Sequence, residues 1–223
     1  MTASPRRPEA VLFDFDGVIA DTENIHVAAW QRTLARSGYE LSDAAAARAA
    51  EVDDRAFLVE LFARRKVEGA DVEGWIRLKE GLAEALLADG PRIYPGVVAL
   101  VRGLRSDGIR VGIVTTTRRR NVEIVLASAG LADAFEVIVA KEDVSAFKPA
   151  PDGYKAALKK LGIPASRAVA VEDSPSGIES AGAAGLRVVA VGHRRPAGDW
   201  TGDAAYVADL TDPGSVLTAL GLA

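Results

Sequence analysis

The chain has 223 residues, 49% apolar and 26% charged, with a net charge of −4 and no cysteine. That length holds one large domain or one and a half, and the mild acidity gives nucleic acid no basic footprint. The missing cysteines exclude disulfides and thiolate metal sites and fit a reducing cytoplasm. No window approaches the ~20 apolar residues of a membrane span. The polar start, Met1 to Pro8, lacks the apolar stretch of a signal peptide. A cytoplasmic monomer is expected, with no nucleic-acid or membrane partner.

The run Ala10-Val-Leu-Phe reads as a buried strand of a parallel sheet. It ends in Asp14-Phe-Asp16-Gly17. Aspartate suits a strand interior poorly, so the two acids mark the carboxyl end. Asp21 to Asn24 reads as a helix start with acids near the positive end of the dipole. Ile25, Ala28, Ala29, Leu34 and Ala35 continue at helical spacing to a stop at Ser37-Gly38. From Leu41 to Gly90 the pattern is helix after helix. Asp43–Glu51 is rich in alanine; Phe57, Leu58, Leu61 and Phe62 follow, then Trp75, Leu78, Leu82 and Leu86.

From Pro95 the period changes. Helices are expected at Val97–Ser106, before Ala129-Gly130, at Pro151–Leu161, Pro175–Ala184 and Pro213–Leu220. Strands are expected at Ile109–Val114, Glu136–Ala140, Ala168–Val171 and Leu186–Val191, with a short one near Ala205–Val207. Such alternation means a parallel α/β sheet with crossover helices. The expected domains are a Rossmann-like α/β core of residues 1–21 and 95–223 and an all-helical insertion of residues 22–94.

Ligands bind beyond the carboxyl ends of strands in open α/β sheets. Four such ends carry functional-looking residues: Asp14 and Asp16; Thr115, Thr116 and Thr117; Lys148; Glu172 and Asp173. Singly, each has another reading. The aspartates after the first strand could be turn residues. The threonines, and equally Glu172-Asp173, could cap the next helix, and Lys148 could be a solvated loop residue. Together they suit phosphoryl transfer through a covalent aspartyl phosphate. A carboxylate attacking phosphate needs a hard cation held by oxygen ligands. Hydroxyl, backbone N–H and ammonium groups stabilise the equatorial oxygens. A second acid protonates the leaving oxygen and then activates water.

The set Asp14-Phe-Asp16-Gly17-Val, Thr115, Lys148-Pro-Ala-Pro-Asp152 and Glu172-Asp173-Ser-Pro-Ser-Gly177 resembles the four motifs of the haloacid dehalogenase superfamily, in order and over nearly the whole chain. Asp21-Thr22 with His26 and Trp30, and Tyr94-Pro95-Gly96, resemble the branch of beta-phosphoglucomutase-like and pentulose-bisphosphate-phosphatase-like proteins with a helical cap. The resemblance implies that Asp14 is the nucleophile and a Mg²⁺ ligand. It makes Asp16 the general acid/base, with its backbone carbonyl on the metal, Asp173 a metal ligand, and Glu172 a ligand or a partner of one. Thr115, the backbone near Thr116, and Lys148 would hold the phosphoryl group. Dehalogenating members lack an acid at the Asp16 position, so Asp16 favours phosphate esters. The implied cap opens to admit substrate and closes to exclude water.

Further candidates are His26 near the cap hinge, Asn121 and Lys79, each a possible substrate contact. His26 also reads as a packing histidine and Lys79 as a solvated one. Arg118, Arg119 and Arg120 oppose the dipole of the helix they begin, so they are either solvated or face an anionic substrate. Related sugar-phosphate enzymes usually carry glycine, and often a basic residue, in the substrate-reading turn. Here that stretch reads Ala50-Glu51-Val52-Asp53-Asp54-Arg55, where Arg55 would replace the missing cation. The expectation is a Mg²⁺-dependent phosphatase acting on a small phosphorylated metabolite, a sugar phosphate. The alternatives are a phosphosugar mutase and a non-catalytic phosphometabolite-binding protein.

Overall fold

The computed structural model describes residues 7–52, 54–193, 196–197 and 204–223. Two compact units are present. The first runs to Asp21 and resumes at Arg92; the second is Thr22–Pro91.

The first unit is built on a six-stranded, wholly parallel sheet. Its strands are β1 (Ala10–Phe13), β4 (Arg110–Val114), β5 (Val137–Val139), β6 (Ala168–Glu172), β7 (Arg187–Val191) and β8 (Ala205–Val207). They lie in the order β5-β4-β1-β6-β7-β8. β1 is therefore central, with Phe13 paired to Ile113 on one side and Val171 on the other. All four β1 residues are fully buried, as an uninterrupted apolar run predicts for a strand covered on both faces. Burying Val11, Leu12 and Phe13 stabilises by ~1.5–3 kcal/mol each. On one face Ala10 and Leu12 pack with Tyr154, Ala157 and Leu161 of α7 (Asp152–Leu161) and Ala181 of α8 (Pro175–Ala183). The remaining helices of this unit are α5 (Val97–Ser106), α6 (Arg119–Ser128) and α9 (Pro213–Leu220).

A short antiparallel pair, β2 (Ala20–Asp21) and β3 (Arg92–Ile93), lies outside the main sheet. It draws residues 92–94, expected with the helical insertion, into the sheet unit. Strand β6 also runs one residue further than its apolar pattern suggests. Glu172 pairs in register with Ala190, so it ends the strand instead of following it.

The second unit is helical: α1 (Glu23–Ala35), α2 (Asp43–Glu51), α3 (Asp54–Arg65) and α4 (Val72–Ala88). Trp30, Leu34, Phe57, Leu58 and Phe62 form its core, and Trp30 packs on Phe57 with ring centroids 5.1 Å apart. Lys79 is not solvated. It is buried, and its ammonium lies 2.9 Å from Asp54. Trp30 Nε1 donates to the same carboxylate at 3.1 Å. An isolated buried ammonium would be very costly, and Asp54 removes that cost.

Candidate active site

The central strand delivers Asp14 to the carboxyl edge of the sheet, where its N–H donates to Val171 O at 2.9 Å. Lys148 Nζ lies 2.6 Å from an Asp14 oxygen and 2.6 Å from Glu172 Oε1. Glu172 has no exposed surface, and Tyr154 Oη donates to it at 2.5 Å. Asp173 completes a cluster with Asp14 and Glu172, one carboxylate oxygen of each lying within 4.8 Å of the others.

Two glycines make room for these acids. Gly17 turns the chain with φ at +83°, and a Cβ there would fall 1.8 Å from Asp173 Oδ2. A Cβ on Gly177 would fall 1.9 Å from Glu172 Oε2. Neither acid is needed to cap α8. That task falls to Ser174, whose hydroxyl accepts from the Gly177 N–H at 3.1 Å.

Three buried acids share one ammonium, and the protonation of the site follows. Burial, then repulsion from Glu172, pushes the Asp14 carboxyl up to about 7 despite Lys148. Burial, then Asp14 and Glu172, pushes Asp173 up to about 8. For Lys148 burial acts downward, but Asp14 and Glu172 outweigh it and hold the ammonium charged. Burial, then the Glu172 charge, raises Tyr154 well above its usual range, so the phenol stays a donor. A pocket with this excess of acidic oxygens fits a hard divalent cation, which takes oxygen ligands and relieves the repulsion.

Asp16 is half-buried. Its Oδ2 accepts from Thr117 Oγ1 at 2.5 Å and from Thr115 Oγ1 at 3.4 Å. Thr115 Oγ1 in turn accepts from the Thr117 N–H at 3.0 Å. The threonines are therefore not helix caps: the N-cap of α6 is Arg118, which makes no side-chain cap bond. Thr116 is exposed. Asn121 is buried in the first turn of α6, and its Oδ1 has no partner among the described residues.

Arg119 is half-buried and not simply solvated. Its guanidinium is 2.6 Å from Asp143 and 2.9 Å from Ile138 O. His26, Arg55 and Lys79 belong to the helical unit. His26 is half-buried in the first turn of α1, Arg55 is exposed and ion-paired with Glu73, and Lys79 is held by Asp54. Asp53 and the side chains of Ala50 and Glu51, part of the acidic turn, lie outside the described residues.

The sequence placed Thr117 at this edge beside Thr115 without giving it a role, and it did not point to Tyr154. Tyr154 carried no local signal: it is one more apolar position on a helix face.

A parallel sheet with an acid pair after its central strand, and a lysine and two further acids at the same edge, defines a class. The chain belongs to the haloacid dehalogenase-like hydrolase family, whose profile matches residues 11–191. It is 34% identical over 196 residues to Protein CbbY of Rhodobacter capsulatus, covering 81% of this chain and 84% of that one. It is 31% identical over 193 residues to a phosphoglycolate phosphatase of Rhodospirillum rubrum, covering 83% and 80%. Among solved structures, CbbY of Rhodobacter sphaeroides in complex with phosphate superposes with a TM-score of 0.83 at 30% identity, covering 93% and 96%. A mutant of that protein was solved with xylulose-(1,5)bisphosphate. Within this family the chain is a phosphatase. Among its described residues, no helix is long and apolar enough to cross a membrane.

Proposed function

We propose that this protein hydrolyses a small sugar phosphate through a phosphoryl group carried transiently on Asp14. The observation that carries the reading is the Lys148 ammonium, set 2.6 Å from both Asp14 and Glu172 beside a third buried acid. The phosphate and sugar-bisphosphate complexes of the CbbY relative support the substrate class.

Asp14, Asp173 and the backbone carbonyl of Asp16 would hold Mg²⁺. Glu172, already engaged by Lys148 and Tyr154, would serve as partner to the lysine. Bound Mg²⁺ would shield the phosphate charge as a carboxylate approaches it. Asp14 bonds to phosphorus while Asp16 gives a proton to the departing ester oxygen, releasing the sugar alcohol. Asp16 then takes a proton from water as its oxygen attacks the same phosphorus, returning free Asp14 and inorganic phosphate. Lys148 and Thr115 hold the phosphoryl oxygens in both steps. The Asn121 amide, buried with an open acceptor, would read a substrate hydroxyl.

The test is phosphate release from a panel of sugar phosphates by wild type and Asp14→Asn. Release should fall at least about a thousandfold in the variant, with its circular dichroism unchanged. Wild-type turnover by Asp14→Asn would end the nucleophile assignment. An isomeric sugar phosphate formed without free phosphate would make the enzyme a mutase instead.

A further inference from the structure

The turn behind Asp16 is fastened by an aromatic pair. His193, just beyond β7, places Nδ1 3.1 Å from the Gly17 carbonyl oxygen. Its ring lies flat on Tyr94, with centroids 3.9 Å apart and planes 14° from parallel. Tyr94 is buried, and its N–H donates to Ile19 O at 3.0 Å. The Gly17 N–H donates to Ala20 O at 2.9 Å. The loop from Asp16 to Ala20 is thus held at Gly17 through both backbone groups, and again at Ile19.

A carbonyl only accepts, so Nδ1 must carry the proton. Burial holds His193 below the usual histidine range, which keeps the ring neutral near pH 7. Burial, then the Asp21 and Asp173 charges, pushes the Tyr94 phenol up to about 12, so both rings of the stack are uncharged. Gly17 also touches Asp173 closely enough that a Cβ would collide with it. The turn therefore has little freedom to shift without disturbing the acids on either side of it.

We propose that His193 is a positioning residue for Asp16. Its hydrogen bond to the Gly17 carbonyl, held in place by the Tyr94 stack, fixes the Gly17–Val18 peptide, the second after Asp16, and through that turn aims the acid at the leaving oxygen. This rests on the reading of Asp16 as the general acid. If Asp16 is misaimed, esters whose leaving oxygen needs a proton suffer most, and esters of acidic phenols suffer least.

The test compares, against wild type, kcat/KM for phenyl phosphate and p-nitrophenyl phosphate, aryl esters that differ in leaving-group basicity. Taking the ratio on one preparation cancels any unfolded fraction. His193→Phe keeps a ring for the stack but has no donor; His193→Asn keeps a nitrogen near the Nδ1 position but loses the ring. His193→Phe should lower the phenyl to p-nitrophenyl ratio about tenfold, part of the full worth of a general acid. His193→Asn should restore most of that loss. An unchanged ratio in His193→Phe, or equal loss in both variants, overturns the proposal. Asp16→Asn is the reference. If it leaves the ratio alone, the general-acid reading itself falls; if it shifts the ratio while His193→Phe does not, only the positioning role falls.

Discussion

Tyr154→Phe isolates one bond in the acid cluster. The phenol donates to Glu172 at 2.5 Å, and both residues have no exposed surface. Phenylalanine fills the same space apart from one oxygen, so no cavity of consequence opens. What is lost is a hydrogen bond to a charged, buried acceptor, worth ~1.5–3 kcal/mol. Lys148 stays 2.6 Å from Glu172, so the carboxylate keeps a partner and the cost should not reach the ~3–5 kcal/mol of a broken buried ion pair. In a chain of this size each kcal/mol moves the melting temperature by ~2–4 °C, so the transition of the sheet unit should fall by about 3–12 °C. Thermal denaturation followed by circular dichroism, with wild type and variant in the same buffer, reads this directly. A melting temperature within about 1 °C of wild type would show that Glu172 does not depend on Tyr154, and the account of the cluster would need a different balance.

Further outcomes follow from buried charges. Lys79→Met takes the ammonium from Asp54, which keeps the Trp30 N–H, and should destabilise the helical unit by ~1.5–3 kcal/mol in urea denaturation followed by tryptophan fluorescence. A raised KM with unchanged stability would instead make Lys79 a substrate contact. The metal-free sheet unit should lose stability as pH rises from about 4 to about 8. Asp14 and Asp173 keep protons up to about 7 and about 8 in the fold, whereas the unfolded chain releases them near the ordinary value of 3.8. Mg²⁺ competes with those protons, so its thermal stabilisation should be larger at pH 8 than at pH 5.5, and excess EDTA should stop turnover. Equal stabilisation at both pH values, or full activity in EDTA, would remove the metal from this site.

The sequence by itself determined the order of strands and helices in the sheet unit. The strand signal is an apolar run and the helix signal a spacing of three or four, both written in neighbouring residues. It also singled out Asp14, Thr115, Lys148 and Glu172-Asp173, because a parallel sheet directs every strand's carboxyl end the same way. Only the tertiary structure decided which partner each charged group takes. Glu172 meets Tyr154 from another helix, Lys79 meets Asp54, Arg119 meets Asp143, and His193 reaches back across the chain to Gly17. Those pairings depend on how elements far apart in the chain are brought side by side. A local pattern marks which face of an element is apolar, but whether a charged side chain such as Lys79 is buried, and the group that then satisfies it, is fixed by packing alone.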